Sequence, residues 1–400
     1  MLNAYIYDGV RTAFGRHAGQ LATIRPDNLA AHVIKALLEK HNLPNNIYDD
    51  VILGNTNQAG EDSRNIAPHT ALLAGLDVKT PAQTVNRLCA SGLASVIDAA
   101  RAISCGEGDI FITGGVESMS RAPFVFAKSE KAFGRDFKVF DSAIGARFPN
   151  PAIEKQFGDD TMPKTGDNVA VEYGITREDA DTFAAASQTK YEAAKQAGFF
   201  DGEIVGIEVP QGRELAPKLV AIDEHPRPSS NMEALQKLKP LFEGGVVTAG
   251  NASGVNDGAA VLLIGSQQAE QTLGFKPIAK ILASGAAGIE PRIMGAGPVD
   301  AIKLALKRAN LTLADMDIIE INEAFASQVL ACLQGLDVAL DDPRVNPNGG
   351  AIAVGHPLGA SGARLALSTA RELQRSGKKY AVISLCIGVG QGLAMVIERV

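Results

Sequence analysis

The sequence predicts an α/β fold built from two similar halves. Three observations carry this: apolar runs of strand length alternate with amphipathic stretches, the order of these elements recurs in the second half, and one long irregular segment interrupts the first. AYIY at 4–7, VILG at 51–54, IFITGG at 110–115 and YAVISL at 380–385 are continuous apolar runs, the signature of strands covered on both faces. DNLAAHVIKALLEK at 27–40 and VDAIKLALKRAN at 299–310 repeat their apolar residues at helical spacing. The repeat is most visible where QTVNRLCASGLASVIDAARAI and GDIFITGGVES parallel GGAIAVGHPLGASGARLALSTAREL and KKYAVISLCIG. In both, small residues lead into a helix and a strand ending near glycine follows. YDDVILGNTNQAG likewise pairs with DMDIIEINEAFAS, and GAAVLLIG with GLAMVIERV. Between 120 and 246 the text turns irregular, with RAPFVFAK, RFPNPAIEKQFGDDTMP and DEHPRPSSN rich in Pro, Phe and charge. The expected organisation is residues 1–119 with 247–268 as the first half, 120–246 as an inserted loop domain that walls a ligand site or makes oligomer contacts, and 269–400 as the second half.

At 400 residues and 46% hydrophobic content the chain can bury a large core. A net charge of -7 speaks against nonspecific nucleic-acid binding and leaves room only for a local basic pocket. The four cysteines lack CxxC spacing, which argues against a structural zinc or a disulfide framework and fits a reducing cytoplasm. A start without a basic stretch and long apolar run, and no unbroken apolar run of membrane length, predict neither signal peptide nor membrane span.

The chemistry concentrates at five places. Cys89 follows a strand and precedes a helix, so its thiol is expected at a helix N-terminus whose dipole lowers its pKa. His356 occupies the corresponding junction of the second half, where the repeat makes it the counterpart of Cys89, a base facing a thiol. Cys386 ends a strand before IGVGQG. That glycine string lacks the downstream helix and acidic residue of a dinucleotide fingerprint, so no nicotinamide site is expected, and the N–H of Gly388 reads instead as an oxyanion donor. Asn322 in NEAFAS reads as the cap of the following helix, a role compatible with also holding a catalytic water. Ser253 and Gly254 supply small groups beside a strand.

NRLCASG, GGVESMSRAP, NASGVNDGAA, NEAFA, GHPLGASGAR and CIGVGQG, spread over nearly the whole chain, resemble the thiolases, CoA-dependent acyltransferases. The resemblance implies a duplicated five-layer αβαβα core with an inserted loop domain. It implies Cys89 as the acylated nucleophile, His356 as its base, Cys386 as the proton carrier at the substrate Cα, and Asn322 as holder of a water in one oxyanion hole. The N–H groups of Cys89 and Gly388 form the other. It further implies Ser253 at the pantetheine, Arg227 at the nucleotide end of CoA, and Met162, Ala324 and Phe325 around the acyl group. Coenzyme A is then a co-substrate, no tightly bound cofactor or metal is expected, and the protein assembles as a dimer or a dimer of dimers. The insertion is most similar to that of thiolases acting on 3-oxoadipyl-CoA; a fatty-acid or acetoacetyl-CoA thiolase is the alternative. A terminal carboxylate calls for a cation, for which Arg121, Lys128 and Arg147 stand within the insertion. Outside the family, a cysteine hydrolase would use Cys and His without a second thiol, and a noncatalytic CoA-binding module would lack the set.

Overall fold

The computed structural model describes residues 2–135, 137–212 and 215–400. The first half contains β1 (Ala4–Thr12), α1 (Pro26–His41), β2 (Asp50–Gly54), α2 (Ile66–Ala74), β3 (Ala82–Val85), α3 (Ser91–Cys105) and β4 (Ile110–Ser118). The insertion carries α4 (Met162–Tyr173) and α5 (Arg177–Gln196), after which β5 (Asn256–Gly265) returns to the core. The second half contains β6 (Ala279–Gly288), α6 (Pro298–Ala309), β7 (Ile318–Ile321), α7 (Ala326–Gly335), α8 (Leu358–Ser376), β8 (Tyr380–Ile387) and β9 (Gln391–Arg399).

The core strands run in the order β7-β8-β9-β6-β1-β5-β4-β2-β3, so each half contributes one flank of a single mixed sheet. Pairing directions repeat outward from the centre. β1 to β5 and β5 to β4 are antiparallel, then β4 to β2 and β2 to β3 parallel; β6 to β9, β9 to β8 and β8 to β7 reproduce the first three. β1 and β6 join antiparallel at Ile6 and Ala279, the midpoint of the duplication.

Side-chain alternation along these strands sorts the core into layers. Val261 and Leu263 of β5 pack with Leu29, Ile34 and Leu37 of α1 on one outer face, whereas Leu262 and Ile264 turn inward to Leu93 and Val96 of α3 and Leu367 and Ala370 of α8. In the second half Ile383 and Met395 face that same inner layer, while Val382 and Val396 face α6 and α7. The result is αβαβα with α3 and α8 in the middle. That position explains why the stretch Leu88–Cys105 is apolar enough by composition to cross a membrane: it is the inner layer's helix, contacting sheet on both sides.

The two inner helices cross at glycine. A Cβ on Gly92 would lie 2.5 Å from the carbonyl oxygen of Gly359 and 2.8 Å from the nitrogen of Ala363, and one on Gly362 would lie 2.3 Å from the nitrogen of Leu93. These contacts are reciprocal, 92 to 363 and 362 to 93, as a twofold between the halves requires. They also correct the register expected from sequence. Counting from Gly92 opposite Gly362, Cys89 stands opposite Gly359 and His356 opposite Asn86, three residues from the expected equivalence, because the crossing glycines and not the catalytic-type residues occupy the symmetric positions.

A buried ion network clamps the insertion onto β1. Arg11 donates from Nε to Glu203 Oε1 at 2.6 Å and from Nη1 and Nη2 to Asp223 at 2.7 and 3.0 Å, and Tyr191 of α5 donates to the same Asp223 at 3.0 Å. Asp223 begins the segment that holds Arg227.

Candidate active site

The loops at one end of α3 and α8 bring most of the expected residues together. Cys89 sits just before α3, two residues short of its first turn. Leu88, which precedes it, adopts a left-handed φ of 44° that aims the chain into the helix start. The Cδ1 of Leu88 is 3.3 Å, and the sulfur of Met162 3.7 Å, from where a Cβ on Gly388 would be, so Gly388 closes directly over the nucleophile's loop and the insertion reaches it through α4. The thiol's pKa corrects the sign expected from sequence. Burial, the largest influence, pushes the Cys89 thiol up to about 11; the N–H groups of Gly388 and of Cys89 itself pull it down, and the Glu117 carboxylate raises it further. Desolvation outweighs the helix terminus. The resting group is a thiol, with the N–H groups of Gly388 and of Cys89 near the sulfur.

Cys386 is buried at the end of β8 and belongs to an apolar cluster with Val247, Ala252, Met294, Ala324 and Phe325, against which Met162 packs. Its pKa lies well above the ordinary thiol value, through burial first and then the proximity of Cys89 and Cys332. Two thiols with mutual influence beside an apolar wall is the arrangement expected from sequence for Cys386, Met162, Ala324 and Phe325. Met294 joins them unannounced, since a methionine in PRIMGAGP carries no local signal of a pocket.

His356 is buried, and its ring is bracketed on both nitrogens. Nδ1 lies 2.6 Å from the hydroxyl of Ser361, which itself donates to the carbonyl of Pro357 at 2.9 Å; Nε2 lies 3.4 Å from the amide nitrogen of Asn322. With the Ser361 proton spent on Pro357 and the Asn322 amide donating to Nε2, the ring proton is assigned to Nδ1 and Nε2 holds the lone pair. Burial, assisted by the Arg364 guanidinium, holds the His356 pKa down at about 3, so the imidazole is neutral, as a base requires. The main-chain N–H of His356 donates to Asn256 Oδ1 at 2.8 Å. Ser361 and Asn256 both fall within motifs visible in the sequence, GASGAR and NASGVN, but only the fold aims them at His356.

Asn322 does not cap α7, whose N-cap is Phe325. It is fully buried and its Oδ1 has no protein partner among the described residues. The main-chain N–H of Ser253 donates to the carbonyl of Ala324 at 2.9 Å, which holds Ser253 at the margin of the apolar cluster. Arg227 is exposed; its main-chain N–H donates to Gln188 Oε1 at 2.9 Å, and Gln188 in turn donates to the carbonyl of Ile352 in the segment before His356.

Of the three cations considered for a distal carboxylate, Arg121 is already committed. It donates to both oxygens of Glu61, at 2.5 and 2.7 Å, and to the carbonyl of Ala22 at 3.2 Å. Lys128 lies exposed beyond the strand Phe124–Phe126. Arg147 docks through Nη1 on the carbonyl and Oδ1 of Asn57, at 3.1 and 3.3 Å. The neighbouring Thr56 carbonyl accepts from Asn86, three residues before Cys89, at 3.1 Å.

Residues 4–268 match the family described as thiolase, N-terminal domain, and residues 275–399 that described as thiolase, C-terminal domain. The beta-ketoadipyl-CoA thiolase of Acinetobacter baylyi is 57% identical over 402 residues, covering 100% of both chains. The 3-oxoadipyl-CoA/3-oxo-5,6-dehydrosuberyl-CoA thiolase of Escherichia coli is 52% identical over 402 residues, again covering 100% of each. The human mitochondrial 3-ketoacyl-CoA thiolase, solved in complex with CoA, superposes with a TM-score of 0.91 at 40% identity, over 100% of this chain and 98% of that one. With two family matches that together span almost every residue, and thiols, imidazole and apolar wall gathered at one end of a duplicated αβαβα core, the chain belongs to the thiolases, a family of acyltransferases.

Proposed function

We propose that this thiolase cleaves 3-oxoadipyl-CoA with CoA, giving succinyl-CoA and acetyl-CoA, through an acyl group carried on Cys89. The proximity of the Cys89 and Cys386 thiols beside the N–H of Gly388 supports the chemistry more than any other single observation. His356 Nε2 takes the thiol proton of Cys89, and the sulfur attacks the 3-oxo carbon. The N–H groups of Cys89 and Gly388 stabilise the resulting oxyanion. The bond between Cα and Cβ then breaks, and the acetyl-CoA carbanion takes its proton at Cα from Cys386. A thiol whose pKa lies well above the ordinary value keeps that proton until a strong base forms beside it. Asn322 and His356 serve the thioester oxygen of the departing acetyl-CoA. CoA thiol next attacks the acylated Cys89, giving its proton to the Cys386 thiolate, while Cys89 recovers its own from His356. Every proton is returned and no other reagent is consumed.

Ser253 is assigned to the pantetheine arm and Arg227 to the nucleotide end. For the terminal carboxylate of the substrate we assign Arg147, since Arg121 is neutralised by Glu61 and Arg147 stands on the loop against which Asn86 packs. The 50–57% identity of full-length relatives named for beta-ketoadipyl-CoA supports this substrate. The exposed Phe124, Phe126 and Phe137 of the insertion support a homo-oligomer.

The test is steady-state kinetics with CoA on 3-oxoadipyl-CoA, acetoacetyl-CoA and a medium-chain 3-oxoacyl-CoA. The specificity constant is expected to be highest for 3-oxoadipyl-CoA, and R147A is expected to lower it there by about tenfold or more while sparing acetoacetyl-CoA. A higher value for either uncharged substrate in the unaltered enzyme refutes the substrate; equal losses on all three in R147A refute the residue.

A further inference from the structure

Glu117, near the end of β4 and just before the insertion, has no part in the chemistry above. It is 2% exposed, and its carboxylate faces no Lys or Arg among the ion pairs of the described residues. It collects N–H donors instead. Oε2 accepts from the main chain of Gly359 at 2.9 Å and of Thr56 at 3.1 Å; Oε1 accepts from the main chain of Asn57 at 3.1 Å and, at 3.5 Å, from the Asn55 amide. Three of these donors belong to the loop after β2. The fourth is the second residue of α8, three positions beyond His356.

Gly359 is one of the N-terminal N–H groups that a helix cannot satisfy within itself. The N-cap of α8 is Pro357, and its side chain makes no capping bond. Glu117 therefore caps, from the other half of the molecule, the helix that follows His356. The same carboxylate bears on Cys89, whose thiol it raises. A side chain on Gly359 would meet the carbonyl oxygens of Val116 and Gly54 at 2.3 and 2.7 Å, so α8 lies in backbone contact with the strands that carry Glu117 and its loop. A buried carboxylate held only by dipoles is an expensive spacer where an apolar side chain would pack without desolvation cost. What its geometry does achieve is to lock the start of α8 to the loop from which Asn86, three residues before Cys89, is also suspended.

We propose that Glu117 is a positioning residue for this reaction, joining the start of the helix that follows His356 to the loop after β2, on which Asn86, three residues before Cys89, hangs, and setting a carboxylate near the thiol. The proposal rests on the reading of Cys89 as nucleophile and His356 as base. Burial raises the Glu117 carboxyl, against the pull of its N–H donors; Asp62 is a further titratable group beside it, whose Oδ1 accepts from the Asn55 amide at 3.3 Å and which burial, then the Glu117 charge and Asp27, lift to about 7.

The test compares E117Q and E117D with the unaltered enzyme in three measurements: thermal unfolding, steady-state thiolysis, and the pH dependence of Cys89 alkylation by iodoacetamide followed by mass spectrometry. Gln keeps the shape, removes the charge, and turns an NH2 group toward main-chain N–H donors. E117Q is expected to lose about tenfold or more in kcat with KM little changed, and its alkylation profile is expected to move to lower pH, since the charge that raises the thiol is gone. E117D keeps the charge on a shorter arm, so kcat is expected to fall while the alkylation profile stays where it is. A role in folding alone would lower the unfolding temperature without moving the alkylation profile of E117Q, and that result overturns the proposal, as does wild-type kcat in either variant. Should E117Q not fold, E117D decides through kcat: a fall of about tenfold with KM and unfolding temperature little changed bears the proposal out, and wild-type kcat, or a fall that only follows a lowered unfolding temperature, overturns it. If the unaltered enzyme forms no acyl group on Cys89, the assignment of the nucleophile fails, and the alkylation profiles still judge the influence of Glu117 separately.

Discussion

Replacing Gly92 by alanine tests whether the helix crossing sets the geometry of the site. The new Cβ would lie 2.5 Å from the Gly359 carbonyl oxygen, 2.8 Å from the Ala363 nitrogen and 3.3 Å from its Cβ. Ordinary contact begins at 3.4 Å, so the helices have to separate by about 0.9 Å at a point where both partners are backbone and neither can rotate away. Overpacking of this kind costs about 1–3 kcal/mol, partly offset by up to about 1 kcal/mol of helix propensity gained over glycine. A fall of a few degrees in unfolding temperature is expected. Activity is expected to suffer more than stability, because a displacement of about 1 Å between reacting groups costs about a hundredfold. The assay pairs differential scanning fluorimetry with kcat for thiolysis. The double variant G92A/A363G provides an internal check. It removes the 3.3 Å contact and leaves the 2.5 Å one, so it is expected not to restore activity. Wild-type kcat in G92A, or full rescue by A363G, would refute the argument that the two helix starts are held at contact distance.

Further outcomes follow from individual groups. R11A leaves Asp223 buried without its cation and Glu203 with only Arg371, at 3.6 Å, and is expected to destabilise the protein by about 3–5 kcal/mol, measured by urea unfolding; no change would mean the insertion is anchored elsewhere. The His225 ring, pressed against Gly254, is held at about 4 by burial and then by Arg227 and Arg16. Below about 6.5 the unfolded chain takes up a proton that the folded chain refuses until about pH 4, so stability is lost as pH falls through that window. H225N is expected to recover up to about 3 kcal/mol of that loss by pH 4, and parallel stability curves for the two proteins would contradict it. C386S is expected to accept an acyl group from acyl-CoA on Cys89 yet to be impaired in carbon–carbon cleavage; wild-type cleavage would remove Cys386 from the proton transfer.

Much of the fold was legible in the chain because the duplication shows twice. IFITGG and YAVISL are buried on both faces, and nothing but a two-sided sheet accounts for such runs. The residue types of the site were legible for a related reason: Cys89, His356 and Cys386 stand at element ends beside glycines, where small neighbours in the sequence leave room for a reactive side chain. Quantities set by distant parts of the chain were not legible. The helix start at Ser91 predicts a depressed thiol, but the layers that enclose Cys89 come from both halves, and their desolvation decides the sign. Arg121 reads as a free cation until Glu61, 60 positions away in sequence, is found paired with it. The equivalence of Cys89 and His356 was three residues out because it matched the two junctions by their reactive side chains, whereas the shared ASG of residues 90–92 and 360–362 already carries the register that the touching glycines fix. Met294 and Ser361 have roles only through what the fold places beside them.

The measurement closest to the central claim is intact-protein and peptide mass spectrometry after mixing the enzyme with 3-oxoadipyl-CoA in the absence of free CoA. The expected result is a succinyl group on the peptide containing Cys89, lost on addition of CoA and absent in C89S. A stable adduct on Cys386, or release of acetyl-CoA by C89S, would contradict it.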